Sequence, residues 1–494
     1  MMNEPEKSDM AIVAMKLANK AAVPKAAAEL VEPRAGTKGN TQESHTRRTQ
    51  GRCSVSQRLE RVRKAARQRK QEKFTALLHH IDFDLLLESF LALKRGAAAG
   101  VDKVTWEDYD IQVQENLQDL HKRIHSGAYR ALPVRRVFIP KADGRQRPLG
   151  IAALEDKIVQ RAAVAVLNAI YEEDFLGFSY GFRPKRGQHD ALDALSVAIS
   201  STPVNWILDA DIKGFFDAVN QDWLIRFLRH RIGDERIIGL VQKWLKAGVL
   251  EEGQWQRSDM GTPQGAVISP LLANIYLHYV FDLWVKQWRK REAKGRVIVV
   301  RYADDIVAGF ELETDARRFL DAMRVRFEQF GLELHGQKTR LIEFGRFAAY
   351  RRSRRGLGKP ETFTFLGFTF ICGKTRSGFY QLQRKTRTDR MKAKLLEIKT
   401  QMRTRMHESI PEQGAWLRMV VGGYFAYHAV PTNARALSAF RFHVIGIWHK
   451  SLKRRSQRAT LTWEHMYRLV DDWLPTPKIL HPWPAQRFAV NHPR

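Results

Sequence analysis

The sequence predicts an α+β fold, in which helices mixed with antiparallel hairpins are followed by an almost purely helical region. Short β-rich apolar runs flank turn residues at 134–151 and again at 296–310, a pattern typical of hairpins. From about residue 386, apolar residues recur at helical spacing through about residue 467. A chain of 494 residues is long enough for roughly two to four domains.

The chain is strongly basic, which predicts a polyanionic partner. Lys and Arg number 83 against 53 Asp and Glu, giving a formal net charge of +30. Such a surplus repels itself unless an anion neutralises it. Nucleic acid is the expected partner because neutralising its phosphates releases counterions, and an anionic membrane surface is the weaker alternative.

The two cysteines, Cys53 and Cys372, lie far apart in the sequence. They exclude a disulfide framework and a cysteine-rich zinc module. The first ten residues lack the apolar run of a secretory signal, and no stretch approaches about 18 consecutive apolar residues. We therefore expect a soluble, intracellular protein.

Residues 1–73 form a basic segment that we expect to be largely disordered, since it contains few large apolar residues. Ten basic side chains lie between residues 47 and 70, where the end of the segment is compatible with a helix. They form either a nucleic-acid contact, which the overall charge favours, or a solvated tail. The residues predicted to make the contact are Arg61, Arg63, Lys64 and Arg67.

Changes in apolar periodicity give the other boundaries. Helical spacing predicts helices over 74–132, and strands, hairpins and helices alternate over 133–385. The helical region covers 386–457. A last helix with a Pro-rich basic tail covers 458–494.

Acidic residues follow two of the apolar runs. Asp304 and Asp305 occupy a tight turn between β-rich runs, and a third run leads into Asp209 and Asp211. Carboxylates beside a buried core repel each other, and a divalent cation would relieve that repulsion. The alternative is a solvated turn rich in Asp. Asp209 and Asp211 share one strand face, so periodicity leaves open which would bind a metal and which forms an ion pair.

A strand that ends in Asp beside an acidic hairpin is the constellation that clamps two Mg²⁺ ions for in-line phosphoryl transfer. The sequence around these acids resembles the reverse transcriptases encoded by group II introns, also called intron maturases. The Tyr-Ala-Asp-Asp box at 302–305 resembles their catalytic hairpin, and Asp211 with Phe216 resembles their first palm motif. The other similar segments, in the family's order, are 93–109, 139–151, 180–191, 261–274, 331–339 and 365–368.

The resemblance covers about residues 75–490, and several motifs in order are far more specific than any one. It implies a right-hand polymerase fold, with fingers and palm over 133–385 and an all-helical thumb, or maturase region, over 386–457. Basic residues on the thumb helices would contact RNA, whereas aromatic residues there are usual for helix packing. The further residues expected to bind nucleic acid are Arg183, Lys450, Lys453, Arg454 and Arg455.

The resemblance also implies catalytic roles. Asp211 and Asp304 would hold two Mg²⁺ ions, with Asp305 assisting and Mn²⁺ as an alternative metal. The primer 3′-hydroxyl would attack the α-phosphate of a dNTP, and pyrophosphate would leave. Lys338 would protonate or neutralise that pyrophosphate.

Substrate contacts follow from the same resemblance. Lys141 and Arg147 would grip the triphosphate, since a point charge and a planar fork both suit phosphate oxygens. Phe216 would crowd the sugar 2′ position and favour dNTP over NTP, although a large aromatic is often core. Gln264, followed by Gly265, would touch the template because glycine permits close backbone approach.

The implied partners are group II intron RNA, an RNA template with a DNA primer, target DNA and dNTPs, with no membrane. The expected compartment is the bacterial cytoplasm, as a ribonucleoprotein, and the oligomeric state stays open, a dimer included. Without paired cysteines or the necessary length, an endonuclease-less form is expected.

Two alternatives remain open. A non-catalytic splicing maturase would keep the fold only as an RNA-binding surface, which the presence of Asp211, Asp304 and Asp305 disfavours. A reverse transcriptase of another retroelement, such as a retron or a diversity-generating element, is disfavoured by residues 93–109, which resemble the family's N-terminal extension, and by the maturase-like helices.

Overall fold

The computed structural model describes residues 43–140, 146–251, 254–256, 260–262, 265–455 and 461–491. Its strands are β1 (Val134–Pro140), β2 (Gln146–Ile151), β3 (Trp206–Asp211), β4 (Val249–Glu251), β5 (Gln254–Gln256), β6 (Val297–Tyr302), β7 (Asp305–Phe310), β8 (Arg340–Glu343), β9 (Phe363–Phe365), β10 (Phe368–Lys374) and β11 (Tyr380–Thr386). Helices and sheets are mixed, as the predicted α+β class requires. No helix in these ranges is long and apolar enough to cross a membrane.

The helices alternate with the strands in the first three quarters of the chain and then follow one another. They are α1 (Glu43–Gln68), α2 (Phe83–Leu91), α3 (Trp106–Asp110), α4 (Val113–Ser126), α5 (Leu154–Asp174), α6 (Gln188–Ser201), α7 (Phe215–Ala218), α8 (Gln221–Arg231), α9 (Glu235–Lys246), α10 (Ser269–Leu277), α11 (Leu283–Arg291), α12 (Glu313–Glu328), α13 (Ala348–Arg354), α14 (Thr388–Thr404), α15 (Ile410–His428), α16 (Ala434–Lys453), α17 (Trp463–Trp473) and α18 (Pro484–Asn491).

Helix α1 corrects the expectation of a largely disordered N-terminal segment, which is wrong for residues 43–68; residues 1–42 lie outside the described ranges. Val55, Val62 and Ala66 are buried, and α1 packs along α5. Their spacing of seven and four residues places them on one face of a helix. Three small apolar residues barely change the composition of a basic segment, so composition alone hides this stripe.

The central sheet has the strand order β6-β7-β3-β8, with all neighbouring strands antiparallel. Strands β6 and β7 form the hairpin predicted over 296–310, and both are almost completely buried. Helix α12 packs on β3 and β7, while α6 contacts β6. Because β3 runs between β7 and β8, its carboxyl end lies beside the hairpin turn.

Two further sheets flank the central one along the chain. The first has the order β2-β1-β4-β5, in which β1 is antiparallel to β2 and parallel to β4. The other has the order β11-β10-β9 and leads directly into α14.

The helical region has an apolar core of its own, centred on the fully buried Trp448. Met466 and Val470 of α17 belong to that core, so it extends past the predicted boundary at residue 457. Helix α18 then returns to α6, where Arg487 lies 3.0 Å from the carboxylate of Asp193. The same carboxylate accepts a hydrogen bond from Arg384 of β11 at 2.8 Å.

Candidate active site

The backbone register brings three of the predicted acids together. Asp305 is the first residue of β7 and pairs with Tyr302 across the hairpin, leaving Ala303 and Asp304 as the two-residue turn. On the other side of β7, Asp305 pairs with Asp211, the last residue of β3. The strand register thus places Asp211 beside the hairpin turn that carries Asp304 and Asp305.

These acids line a cleft of about 1060 Å³. Asp209 lies on the same face of β3 as Asp211, and both line the cleft. The remaining side chains come from the 182–188 segment, the hairpin, the 337–340 segment, the β9–β10 turn, the start of the helical region and the end of α15. They include Phe182, Tyr302, Lys338, Arg340, Thr364, Arg387, Arg390, Tyr427 and His428.

The hairpin turn has a strained residue whose position is fixed from one side by a glycine. Ala303 has φ +55°, in the left-handed region that β-carbon-bearing residues seldom adopt. Gly181 packs against it so closely that a Cβ at Gly181 would lie 2.3 Å from the Ala303 nitrogen. Any larger residue at 181 would push the turn that carries Asp304.

Arg301 holds the turn from beneath and is fully buried. Its Nε and Nη2 donate to the two carboxylate oxygens of Asp282 at 2.8 and 2.6 Å. Its Nη1 donates to the Ala303 carbonyl at 3.0 Å and to the Asn274 side-chain oxygen at 3.0 Å, and its Nη2 also donates to Ser179 Oγ at 2.7 Å. One guanidinium thus links the hairpin to three other segments.

The partners of Arg301 depend on an irregular helix. Between α10 and α11 the chain forms a π-helical turn, His278–Asp282, which ends at the fully buried Asp282. Such turns often occur at functional sites, where an extra residue per turn redirects a side chain. Asn274 of α10 also donates to the Gly181 carbonyl at 2.7 Å, so the same group of bonds positions the glycine and the hairpin.

The face of the hairpin that lines the cleft carries neighbouring carboxylates, in contrast to the paired charges around Arg301 on the other face. The pKa of Asp305 is raised to about 7, first by burial and then by the nearby carboxylates of Asp304, Asp211 and Asp209. The pKa of Asp209 is raised to about 6, again chiefly by burial, against the opposing charge of Arg340 at 4.0 Å. Four carboxylates are therefore clustered at this end of the cleft, and their mutual repulsion adds to the effect of burial.

Lys338 is the cation nearest the end of β3. Its Nζ donates to the Asp211 carboxylate at 2.7 Å, while its side chain keeps 55% of its surface exposed. The loop that carries it is anchored by the His335 N–H, which donates to the Asp211 carbonyl at 2.8 Å. Asp209 has a different counter-ion, Arg340, which is its register partner on β8.

The acids suit Mg²⁺ by their chemistry, because carboxylate oxygens are its preferred protein ligands. Within the described ranges, no three His, Cys, Asp or Glu side chains form a ready-made metal cage. Mg²⁺ commonly binds through one or two carboxylates and completes its shell with waters and substrate phosphates. An open, acid-lined cleft is compatible with that mode of binding.

The predicted substrate-binding residues are only partly visible. Lys141 and Gln264 lie outside the described residues, and Arg147 is described only through the backbone of β2. Phe216 is half-buried on α7, and its carbonyl accepts the Thr262 N–H at 2.8 Å. Gly265 has φ +102°, and a Cβ there would lie 2.6 Å from the Gly150 carbonyl oxygen. The close approach at Gly265 is thus to strand β2.

Of the nine residues predicted to contact nucleic acid, four pair with groups of the protein itself. The prediction for Arg183 is wrong: its side chain is 2% exposed, forms an ion pair with Glu172 at 3.0 Å and donates to two backbone carbonyls. Arg67 pairs with Glu173 at 3.0 Å, and half-buried Arg455 donates to the Glu408 carbonyl. Arg63 pairs with Glu60 on α1. The remaining residues are exposed: Arg61, Lys64, Lys450, Lys453 and Arg454.

The cleft also contains residues to which the sequence analysis gave no role. Tyr427 of α15 reaches it by donating from its hydroxyl to the Leu366 carbonyl at 2.8 Å. Phe182 is 53% exposed beside Tyr302, with ring centroids 6.3 Å apart. Phe182 lies in the 180–191 motif and Tyr427 is one of the aromatic residues of the helical region, but aromatic side chains at both places are equally typical of packing. Only the fold shows which rings border the cleft.

Comparison with known proteins identifies the family. Residues 139–370 match the reverse transcriptase (RNA-dependent DNA polymerase) family. Protein YkfC of Escherichia coli strain K12 is 35% identical over 321 residues, which cover 58% of this chain and 80% of YkfC. Group II intron-encoded protein LtrA of Lactococcus lactis subsp. cremoris is 35% identical over 243 residues, covering 48% of this chain. The chain belongs to the group II intron reverse transcriptases and maturases.

The predicted family is thereby confirmed. A plant member, nuclear intron maturase 3 of Arabidopsis thaliana mitochondria, is 26% identical over 220 residues, covering 39% of this chain and 30% of that protein. The chain spans most of YkfC but only 40% of LtrA. The segment matched by the reverse transcriptase family contains the hairpin, Asp211 and Lys338, so the comparison and the geometry point to the same cleft.

Proposed function

We propose that this reverse transcriptase family member is an active RNA-directed DNA polymerase that also binds group II intron RNA and assists its splicing and mobility. The observation that carries the proposal is the register that pairs Asp211 with Asp305 beside Asp304 at the edge of an open cleft. A splicing factor without catalysis would have no need to keep clustered carboxylates at this position, because neighbouring negative charges repel each other.

The cleft acids would hold the metal ions of a nucleotidyltransferase, with Asp211 and Asp304 as the main ligands and Asp305 assisting. Bound Mg²⁺ would supply the positive charge that activates the primer hydroxyl and stabilises the transferring phosphoryl group. In the metal-free protein, Lys338 forms an ion pair with Asp211. Because the lysine side chain is half exposed, it can turn towards a leaving pyrophosphate. Asp209 is assigned to the ion pair with Arg340 rather than to the metals.

The sheets and helices fit a right-hand polymerase arrangement. In this proposal the central sheet is the palm, the β2-β1-β4-β5 sheet belongs to the fingers, and the helical region is the thumb. The side chains of Arg387 and Arg390 enter the cleft from the start of that region, where they suit the phosphates of a template and primer. Lys141, Arg147, Phe216 and Gln264 keep their proposed dNTP and template roles.

The intron RNA half of the proposal rests on charge and on relatives. A net charge of +30 suits a large RNA, and exposed basic residues continue into the helical region at Lys450, Lys453 and Arg454. LtrA is a group II intron-encoded protein, and the plant relative is an intron maturase. For this chain we therefore propose an intron RNA partner, with the RNA template, DNA primer, target DNA and dNTPs as substrates of the polymerase and a bacterial ribonucleoprotein as its setting.

Primer extension tests the proposal. The purified chain receives an RNA template, an annealed DNA primer, dNTPs and Mg²⁺, and is compared with the double variant Asp304→Ala, Asp305→Ala. Extension by the wild type and its loss in the double variant are expected. The matched control is Asp321→Asn, which removes an acid that is 73% exposed on α12 and should leave extension unchanged. A wild type that binds intron RNA tightly without extending the primer would favour the non-catalytic maturase.

A further inference from the structure

The short helix α13, between β8 and β9, has an unusual distribution of side chains. Its inner face is formed by buried Ala348 and by Arg351 and Arg355, which both pair with the 5%-exposed Glu343. Its outer face, at spacings of three and four residues, carries Phe347, Tyr350 and Arg354. The charged side chains thus anchor the helix, and the large aromatic side chains face solvent.

Exposure of these rings is high. Phe347 is 54% exposed and Tyr350 is 63% exposed, and Leu357 just after the helix is 46% exposed. An ordinary surface helix shows the reverse arrangement, because aromatic side chains gain free energy by burial. A group of exposed apolar side chains on one face indicates an interaction surface.

The same surface is positively charged. Between residues 344 and 360 there are six basic residues and no acid. Glu343 neutralises two of the arginines from below, and within the described ranges no carboxylate forms an ion pair with Arg346, Arg354 or Lys359. The guanidinium of Arg354 lies over the ring of Tyr350, 5.8 Å from its centroid, so cation and ring form one platform.

This platform lies away from the catalytic cleft. Glu343 pairs with Trp206, five residues along β3 from Asp211, which corresponds to about 17 Å at about 3.3 Å per residue. A nucleic-acid strand on α13 would therefore leave the cleft available for a primer and template.

We propose that Phe347, Tyr350 and Leu357, flanked by Arg346, Arg354 and Lys359, form a second RNA-binding surface that stacks unpaired bases on its rings. Exposed aromatic rings between cations are the combination that binds single-stranded nucleic acid, because rings stack on bases while the cations contact phosphates. Since the proposed function of the chain includes intron RNA, the proposal commits to RNA and rests on that function. A second copy of this chain would carry the same positive charge at this surface, which opposes a symmetric dimer through it.

Equilibrium binding of a fluorescein-labelled single-stranded uridine oligomer tests the surface. It is measured with the full chain while the cleft is saturated with unlabelled primer–template duplex. The aromatic variant Phe347→Ala, Tyr350→Ala should weaken binding by about fivefold or more, since stacking on each ring is lost, with no change in the salt dependence. The charge variant Arg346→Gln, Arg354→Gln should lower the slope of log Kd against log salt concentration by up to about 1.4, or about 0.7 per lost phosphate contact.

The matched control is Arg317→Gln, Arg324→Gln, which removes the same charge from exposed positions of α12. If it weakens binding as much as the α13 charge variant, the effect is overall charge and the proposal fails. Three results would each overturn the proposal. The aromatic variant could keep its affinity, or a thymidine DNA oligomer could bind as tightly as the uridine oligomer or more tightly. The α13 variants could also disrupt a dimer of the chain without weakening RNA binding. Primer extension should persist in all α13 variants; an inactive wild type would instead contradict the proposed polymerase function.

Discussion

The two sides of the catalytic hairpin differ in how their charges are balanced. Beneath the turn, the fully buried Arg301 has both oxygens of Asp282 and three further acceptors within 3.0 Å. On the cleft side, burial and then the neighbouring carboxylates raise the pKa of Asp305 to about 7. The lower side is a closed network of buried hydrogen bonds, whereas the upper side clusters carboxylates whose cations, Lys338 and Arg340, are partly exposed. On the proposed function, the lower side positions the turn and the upper side holds the metal ions.

The largest effect is expected from the upper side. Asp211→Asn should reduce the rate of primer extension by about a thousandfold or more, because loss of a metal ligand removes several kcal/mol of transition-state stabilisation. The free energy of unfolding should change by no more than about 1 kcal/mol, because relief of carboxylate repulsion offsets loss of the half-exposed ion pair with Lys338. Single-turnover extension and chemical denaturation measure the two quantities. If Asp211→Asn lost stability in proportion to its activity, the cleft side of the hairpin would be as important for stability as the side around Arg301, which contradicts the proposed difference.

The lower side should show the opposite pattern. Arg301→Met should lower the free energy of unfolding by about 3–5 kcal/mol, because it leaves the Asp282 carboxylate buried without its partner. The double variant Arg301→Met, Asp282→Leu should recover most of that stability. Extension should remain low even in the double variant, because the Ala303 carbonyl and Asn274 still lack their donor. Recovery of activity together with stability would show that Arg301 does not position the turn.

The pH dependence of stability offers a third comparison. His278 lies beneath the hairpin, and its pKa is lowered to about 4, mainly by burial, from an ordinary value of about 6.5. Below about pH 6.5 the unfolded chain therefore binds a proton that the folded chain does not. Stability should fall by up to about 3 kcal/mol as the pH drops from about 6.5 to about 4. His278→Phe, which keeps a ring beside Phe175, should remove that part of the pH dependence in denaturation curves.

The smallest stability effect is expected at the ion pair in the cleft. Lys338→Gln breaks the 2.7 Å contact with Asp211, but the lysine side chain is 55% exposed. Solvent screens such pairs, so the free energy of unfolding should change by no more than about 1 kcal/mol. A lower extension rate at unchanged stability would support a role in pyrophosphate release. Destabilisation equal to that of Arg301→Met would show that the cleft ion pair is structural.

The sequence predicted the acids of the site because each follows an apolar run along the chain. Asp211 and Asp305 are themselves strand ends and Asp304 lies one residue before β7, so local patterns locate them, and antiparallel pairing brings them together. The α+β class followed from the same patterns. Asp209 could be assigned only through its register partner Arg340, which lies on a strand far along the chain.

The supporting residues could not be predicted because their partners are distant in sequence. Ser179 and Asp282 meet Arg301 across 122 and 19 residues, and no local period marks such a contact. Arg183 was misassigned for the same reason: a basic residue in a basic chain suggests phosphate contact until Glu172 is seen to pair with it. The sequence indicated a helix only near the end of the basic segment, and the greater length of α1 was missed because its apolar stripe is narrow.

The location of the metal tests the central claim most directly. Fe²⁺ replaces Mg²⁺ in many sites and, with ascorbate and peroxide, cleaves the backbone close to where it is bound. Incubated with the full chain, it should cut near Asp211 and within 303–305, and excess Mg²⁺ should suppress both cuts. Asp304→Ala, Asp305→Ala should abolish them while Asp321→Asn leaves them unchanged. Cuts elsewhere, or cuts near the hairpin that Mg²⁺ does not suppress, would contradict a two-metal polymerase site in this cleft.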